Sequence, residues 1–136
     1  MRYRELSAEE LKAFFARELD SHDDLTDSEL SLLRAPTTRF PEKAFILTTI
    51  IGIFDTDETL VGFCLVPSYS KTIASSLYIG RQYRNRGFAS WILNELKIDT
   101  LNCLVDNLNA IRLYESLGFQ SVSKTAFSIR FERKLS

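Results

Sequence analysis

Apolar residues recur along this chain with two different periods. MRYREL alternates apolar and polar side chains and predicts a short strand. Ser7 then precedes AEELKAFFARELD, in which Leu11, Phe14, Phe15 and Leu19 share one helical face. Ser7 with Glu10 three residues on has the form of a capping box, so the helix is expected to begin there. DDLTDSELSLLR predicts a second helix, capped by Thr26 or Asp27. Ala35 to Pro41 is a break, marked by Pro36 and Pro41. KAFILTTIIGIF, DTDE and TLVGFCLVPS then read as strand, tight turn and strand, an antiparallel hairpin. Both arms are apolar on both faces, as in a sheet covered by helices on each side. Gly52 and Gly62 mark bends or close approaches.

After the SYSKT connector, IASSLYIG (residues 73 to 80) predicts one further strand. GFASWILNELKID predicts a helix with Ile92, Leu93 and Leu96 on its apolar stripe, and LNCLV a short strand. In LNAIRLYESLGF, Ala110, Leu113, Tyr114 and Leu117 share one side, and Gly118 is the natural end of the helix. Two final strands are expected, near Phe119 to Ser123 and near Phe127 to Leu135. The order predicts a mixed α/β layer fold, and 136 residues suit a single domain spanning 1–136.

Composition narrows the functional classes. Seventeen Lys and Arg against 18 Asp and Glu leave a net charge of −1, so no global field draws in nucleic acid. Residues 1–30 are acidic and residues 76–136 basic, which suits a local anion site in the second half. Cys64 and Cys103 lie in apolar runs without a CxxC pattern, as expected of buried thiols in a reducing, cytoplasmic compartment. No run reaches the length of a membrane span, and His22, the only histidine, has no second one to help it hold a metal.

The chemistry concentrates in RQYRNRGFAS, residues 81–90. Gly87 lets the backbone approach a ligand, the helix that follows presents unpaired amides, and Arg84 and Arg86 add charge-assisted donors. Ala89 keeps the first turn small. Neither the Walker A pattern nor the GxGxxG fingerprint is present. Taken alone, the segment is equally a charged turn that caps a helix.

R-N-R-G-F-A, residues 84–89, resembles the Arg/Gln-x-x-Gly-x-Gly/Ala motif of the GNAT family of N-acetyltransferases. N-L-N-A-I-R-L-Y-E-S-L-G-F, residues 107–119, resembles that family's second signature, Asn-x-x-Ala-x-x-x-Tyr-x-x-x-Gly-Phe. The resemblance implies the GNAT acyl-CoA N-acyltransferase fold, a central, mostly antiparallel sheet flanked by helices on both faces. It implies acetyl-CoA as cosubstrate, seated in a V-shaped opening between a fourth strand, Ser75 to Ile79, and a fifth, Leu101 to Val105. The pantetheine arm would pair with Leu77, Tyr78 and Ile79. The pyrophosphate would lie on Arg84, Asn85, Arg86, Gly87, Phe88 and Ala89. Asn107 would meet the cofactor arm, order the local turn or cap the helix. Tyr114 would be the general acid for the leaving thiolate, with a plain core role as its alternative. Cys103 stands where the family commonly has valine and is read as a small core residue.

The general base is not written in the fourth strand, which holds only Ser75, Ser76 and Tyr78 as polar members. A water on Ser76 or Tyr78 could relay a proton, or one of Glu18, Asp20, Asp23 and Asp24 could serve. The acceptor would be an amine of a small molecule, peptide or protein. The shortness of the chain leaves either an open acceptor groove or a site completed by a second copy in a homodimer. A non-catalytic regulatory module on the same fold is the alternative function.

Overall fold

The computed structural model describes residues 1–21, 48–67 and 70–134. The expected second helix, the proline break, the first residues of the hairpin, His22, Asp23 and Asp24 lie outside them. β1 (Arg2–Glu5) leads into α1 (Ala8–Ser21), and β2 (Thr48–Phe54) and β3 (Leu60–Pro67) form the hairpin. Then come β4 (Ile73–Ala74), β5 (Ser76–Ile79), a single 3-10 turn (Arg81–Tyr83) and α2 (Phe88–Glu95). β6 (Thr100–Leu104), α3 (Leu108–Ser116), β7 (Gln120–Lys124) and β8 (Ser128–Glu132) complete the order.

The capping box forms as its spacing requires. Glu10 N–H donates to Ser7 Oγ at 3.1 Å, and Ser7 N–H donates to Glu10 Oε1 at 3.1 Å. Arg4 adds a 2.8 Å contact from Nη2 to Glu10 Oε2, which ties β1 to the head of α1.

Two four-stranded sheets result, β1-β2-β3-β5 and β4-β6-β8-β7. Every pairing is antiparallel except β4 with β6. The stretch 73–80, expected as one strand, divides at Ser75. Ile73 and Ala74 pair with Thr100 and Leu101 of β6, whereas Ser76 to Ile79 pair with β3. Ser75 turns both its N–H (2.8 Å) and its Oγ (3.1 Å) onto Leu65 O. That double anchor holds the chain to β3 while the two residues before it follow β6.

Helices cover both faces of the first sheet. Leu11, Phe14 and Phe15 of α1 pack on Ile50, Phe54, Phe63 and Tyr78. Phe63 meets Phe15 edge-on at 5.2 Å between ring centroids and Phe14 at 6.0 Å. Phe88, Ile92 and Leu93 of α2, with Tyr114 of α3, join Ile53, Val61, Cys64 and Ile79 on the other face. This second cluster runs on into Leu101, Cys103, Ile129 and Phe131, so one core joins the two sheets. A bulge sets which side chain goes where. Ile53 pairs with Gly62 and Phe54 with Leu60, leaving Val61 as the extra residue. Leu60 and Val61 therefore serve opposite clusters without upsetting Phe63 and Cys64. Gly62 is needed for space: a Cβ there would lie 2.4 Å from Tyr78 O.

Arg133, which the sequence did not single out, clasps the far ends of both later helices. Its Nε donates to Ile98 O (2.9 Å), Nη2 to Leu93 O (3.1 Å) and Nη1 to Leu117 O (3.4 Å). The guanidinium also sits 4.4 Å from the centre of the Phe119 ring. No helix among the described residues is long and apolar enough to cross a membrane.

Candidate functional site

The division at Ser75 opens the molecule between β5 and β6. Gly80 N–H donates to Val61 O at 2.7 Å, so by strand alternation Tyr78 and Gly80 turn their main chain toward β3. Leu77 and Ile79 turn theirs toward the opening, where Ile79 O accepts from Arg84 Nε at 2.9 Å. Tyr78, grouped with them from the sequence, is placed otherwise: its main chain serves β3 and its buried side chain faces α1.

Beyond Ile79 the chain makes the 3-10 turn and enters α2 through two left-handed residues, Asn85 (φ 63°) and Gly87 (φ 87°). Gly87 is the N-cap residue, and its carbonyl accepts from Trp91 N–H at 2.9 Å. The amides of Phe88 and Ala89 therefore stand in the first turn, where a helix leaves its N–H groups without internal partners. Phe88 buries its side chain in the core, so its contribution at the turn is main-chain. The backbone gives a reason of its own for glycine at 87. A Cβ there would meet nothing nearer than Met1 Cε at 4.0 Å. Backbone conformation, not crowding, demands it. Arg86 is exposed and lies over the Tyr83 ring, 5.6 Å from its centre.

On the other side of the opening, Asn107 is the N-cap of α3, its Oδ1 accepting from Ala110 N–H at 3.3 Å. Of the roles the sequence left to it, capping is the one this contact fulfils. Tyr114 is buried on α3 between the Phe119 and Phe131 rings, 6.0 and 5.9 Å away. Burial pushes its phenol well above the ordinary range, and the thiols of Cys103 and Cys64 push in the same direction. Those thiols sit on β6 and β3, and Tyr114 shares its buried cluster with both. Among the described residues no hydrogen bond satisfies this hydroxyl. Cys103 donates to Leu104 O at 3.3 Å, and burial with nearby Asp106 raises its thiol to about 11. It is a protonated wall residue, not a ready nucleophile.

The sequence could not rank the early acids, but burial separates them. Asp20 is exposed, whereas Glu18 is 3% exposed and accepts from Tyr78 Oη at 3.1 Å. Its carboxylate also approaches Arg17 Nε at 3.9 Å and lies against Gly80, where an added Cβ would come within 2.9 Å of Oε1. The Tyr78 ring in turn carries the Arg84 guanidinium 5.4 Å from its centre. Helical phase put Glu18 one residue from Leu19 and close to the apolar stripe. The partner on β5 was invisible.

The acetyltransferase (GNAT) domain family matches residues 48–121, more than half of the chain. No curated protein matches it in sequence. Among solved structures, apo YjaB from Escherichia coli is 20% identical, with a TM-score of 0.66 over 96% of this chain and 95% of that one. A point mutant of spermidine N-acetyltransferase SpeG from Vibrio cholerae is 15% identical, with a TM-score of 0.64 over 98% and 94%. A dodecameric structure of spermidine N-acetyltransferase from the same organism is 16% identical, with a TM-score of 0.62 over 96% and 91%. At these identities the likeness is one of fold.

Proposed function

Since the chain belongs to the GNAT acetyltransferase family, we propose that it moves an acetyl group from acetyl-CoA to a primary amine, with Tyr114 as the acid. Acetyl-CoA, when bound, supplies an activated acyl thioester. The residues around the opening fit such a molecule. The first-turn amides of Phe88 and Ala89, with Asn85, Gly87 and the side chains of Arg84 and Arg86, would hold the pyrophosphate. Leu77 and Ile79 would lend main-chain groups to the pantetheine arm. Asn107 would order the opposite wall by capping α3.

The observation that supports this reading is the division of the strand at Ser75, with the left-handed turn into α2 directly after the diverging strand. Direct transfer requires the amine to be held against the acyl carbon while a proton reaches the departing sulfur. Tyr114 keeps its proton at neutral pH, as an ordinary phenol does, and burial opposes ionisation further, so its Oη is able to donate. A main-chain amide of β5 is the candidate to polarise the acyl oxygen. The spermidine N-acetyltransferases that share the fold make polyamines the first acceptors to test, alongside lysine-containing peptides.

Calorimetric titration with coenzyme A is expected to give stoichiometric binding, and Tyr114→Phe to leave that affinity unchanged. The same variant should lower kcat by about 10- to 100-fold, followed as thiol release with spermidine and peptide acceptors. Absence of coenzyme A binding would sink the cofactor placement. An unaltered kcat would remove Tyr114 from the acid role.

A further inference from the structure

Glu18 is an acidic side chain of α1, and only 3% of it is exposed. Burying a carboxylate is costly unless hydrogen bonds offset it. Beside Arg17, 3.9 Å away, Glu18 has a partner on β5 that leads toward the turn. Tyr78 Oη donates to Glu18 Oε1 at 3.1 Å. The Tyr78 ring is held on its other contacts by Phe63, stacked at 5.9 Å, and Phe14, edge-on at 6.0 Å. Against that ring lies the Arg84 guanidinium, whose Nε is anchored on Ile79 O at 2.9 Å. The floor beneath Glu18 is Gly80, where any side chain would collide with Oε1. A carboxylate on α1, a phenol on β5 and an arginine on the turn thus form one continuous chain of contacts.

We propose that Glu18 and Tyr78 are positioning residues for Arg84. They hold its guanidinium in the pose from which its terminal nitrogens engage the pyrophosphate of the cofactor. This rests on the cofactor placement proposed above. With Tyr78 fixed at both ends, the arginine loses little freedom when the anion arrives, and less ordering cost is subtracted from binding. Neither Glu18 nor Tyr78 Oη need touch the ligand. Their effect should fall on the phosphate-bearing part of the cofactor and spare the pantetheine arm.

The test compares coenzyme A, titrated by calorimetry, with pantetheine, which ends before the pyrophosphate, titrated by NMR chemical shifts. Tyr78→Phe and Glu18→Ala are expected to raise the Kd of coenzyme A by about tenfold while that of pantetheine stays within about twofold. Glu18→Gln, whose amide oxygen still accepts from Tyr78 Oη, should keep the coenzyme A affinity within about twofold of the parent and guards against misfolding of the alanine variant. Equal losses for both ligands would mean a merely structural contribution and would overturn the proposal. So would no loss for either, or a tenfold loss in Glu18→Gln. Arg84→Ala separates the two layers of argument. Should it leave coenzyme A binding untouched, the pyrophosphate placement itself fails. Should it weaken binding while Tyr78→Phe does not, only the positioning pair falls.

Discussion

Gly87 and Gly118 are a natural pair for asking what one residue does at the opening. Both are left-handed, at φ 87° and 90°, and a Cβ at either would find open space. Alanine at either position should therefore cost about 1–2 kcal/mol of stability from backbone strain alone. Only Gly87 belongs to the turn proposed for the pyrophosphate. Gly87→Ala is expected to weaken coenzyme A binding as the turn relaxes, whereas Gly118→Ala should leave it unchanged. Equal coenzyme A affinities in the two variants, measured by calorimetry, would refute the placement at residue 87. Glycine at 80 and 62 is a different matter, since there the neighbouring Glu18 and Tyr78 O leave no room. The letter G in the sequence says nothing of which reason applies.

Among the elements, α2 and α3 owe their common footing to Arg133. Three carbonyls, Leu93 near the end of α2, Ile98 in the segment after it and Leu117 at the end of α3, converge on one guanidinium. Burial pulls this arginine below its ordinary range, and Asp99 acts in the opposite sense. Arg133→Ala is expected to lower stability by about 2 kcal/mol or more in urea unfolding. Arg133→Lys should recover only part of it, since an ammonium lacks the planar fork. Full recovery by lysine would show that charge rather than geometry secures the helices. The hairpin, α1 and the ends of α3 were legible from period and caps. The break at Ser75 was not, because IASSLYIG carries strand-forming residues throughout and nothing local marks the change of partner from β6 to β3.

At the scale of the whole molecule, the core that joins the two sheets carries a pH signature. Burial raises the Cys64 thiol to about 12, and Cys103 stands at about 11 with Asp106 contributing. Both folded values lie above that of an unfolded thiol. Their contribution to stability is complete below about pH 8.5 and is lost as pH rises through the folded values. Between about pH 8 and pH 10.5 the stability of the parent is expected to fall, with about 2 kcal/mol of the loss due to Cys64. Urea unfolding of Cys64→Ala at the same two pH values checks this. An identical fall without the thiol would show that other groups govern the alkaline limb.

The two signatures at residues 84–89 and 107–119 and the alternation of strand and helix are matters of local chemistry: period, caps, and short-range spacing. These are legible in the order of the residues alone, and with them the family and the general layout. Where a strand changes partner, and which of Glu18 and Asp20 is buried, came from the tertiary structure. Each of these depends on groups far apart in the chain, as with Glu18 and Tyr78 or Ser75 and Leu65. Long-range contacts of that kind leave no periodic trace. A glutamate that faces a tyrosine across a sheet is spelled the same as one that faces water.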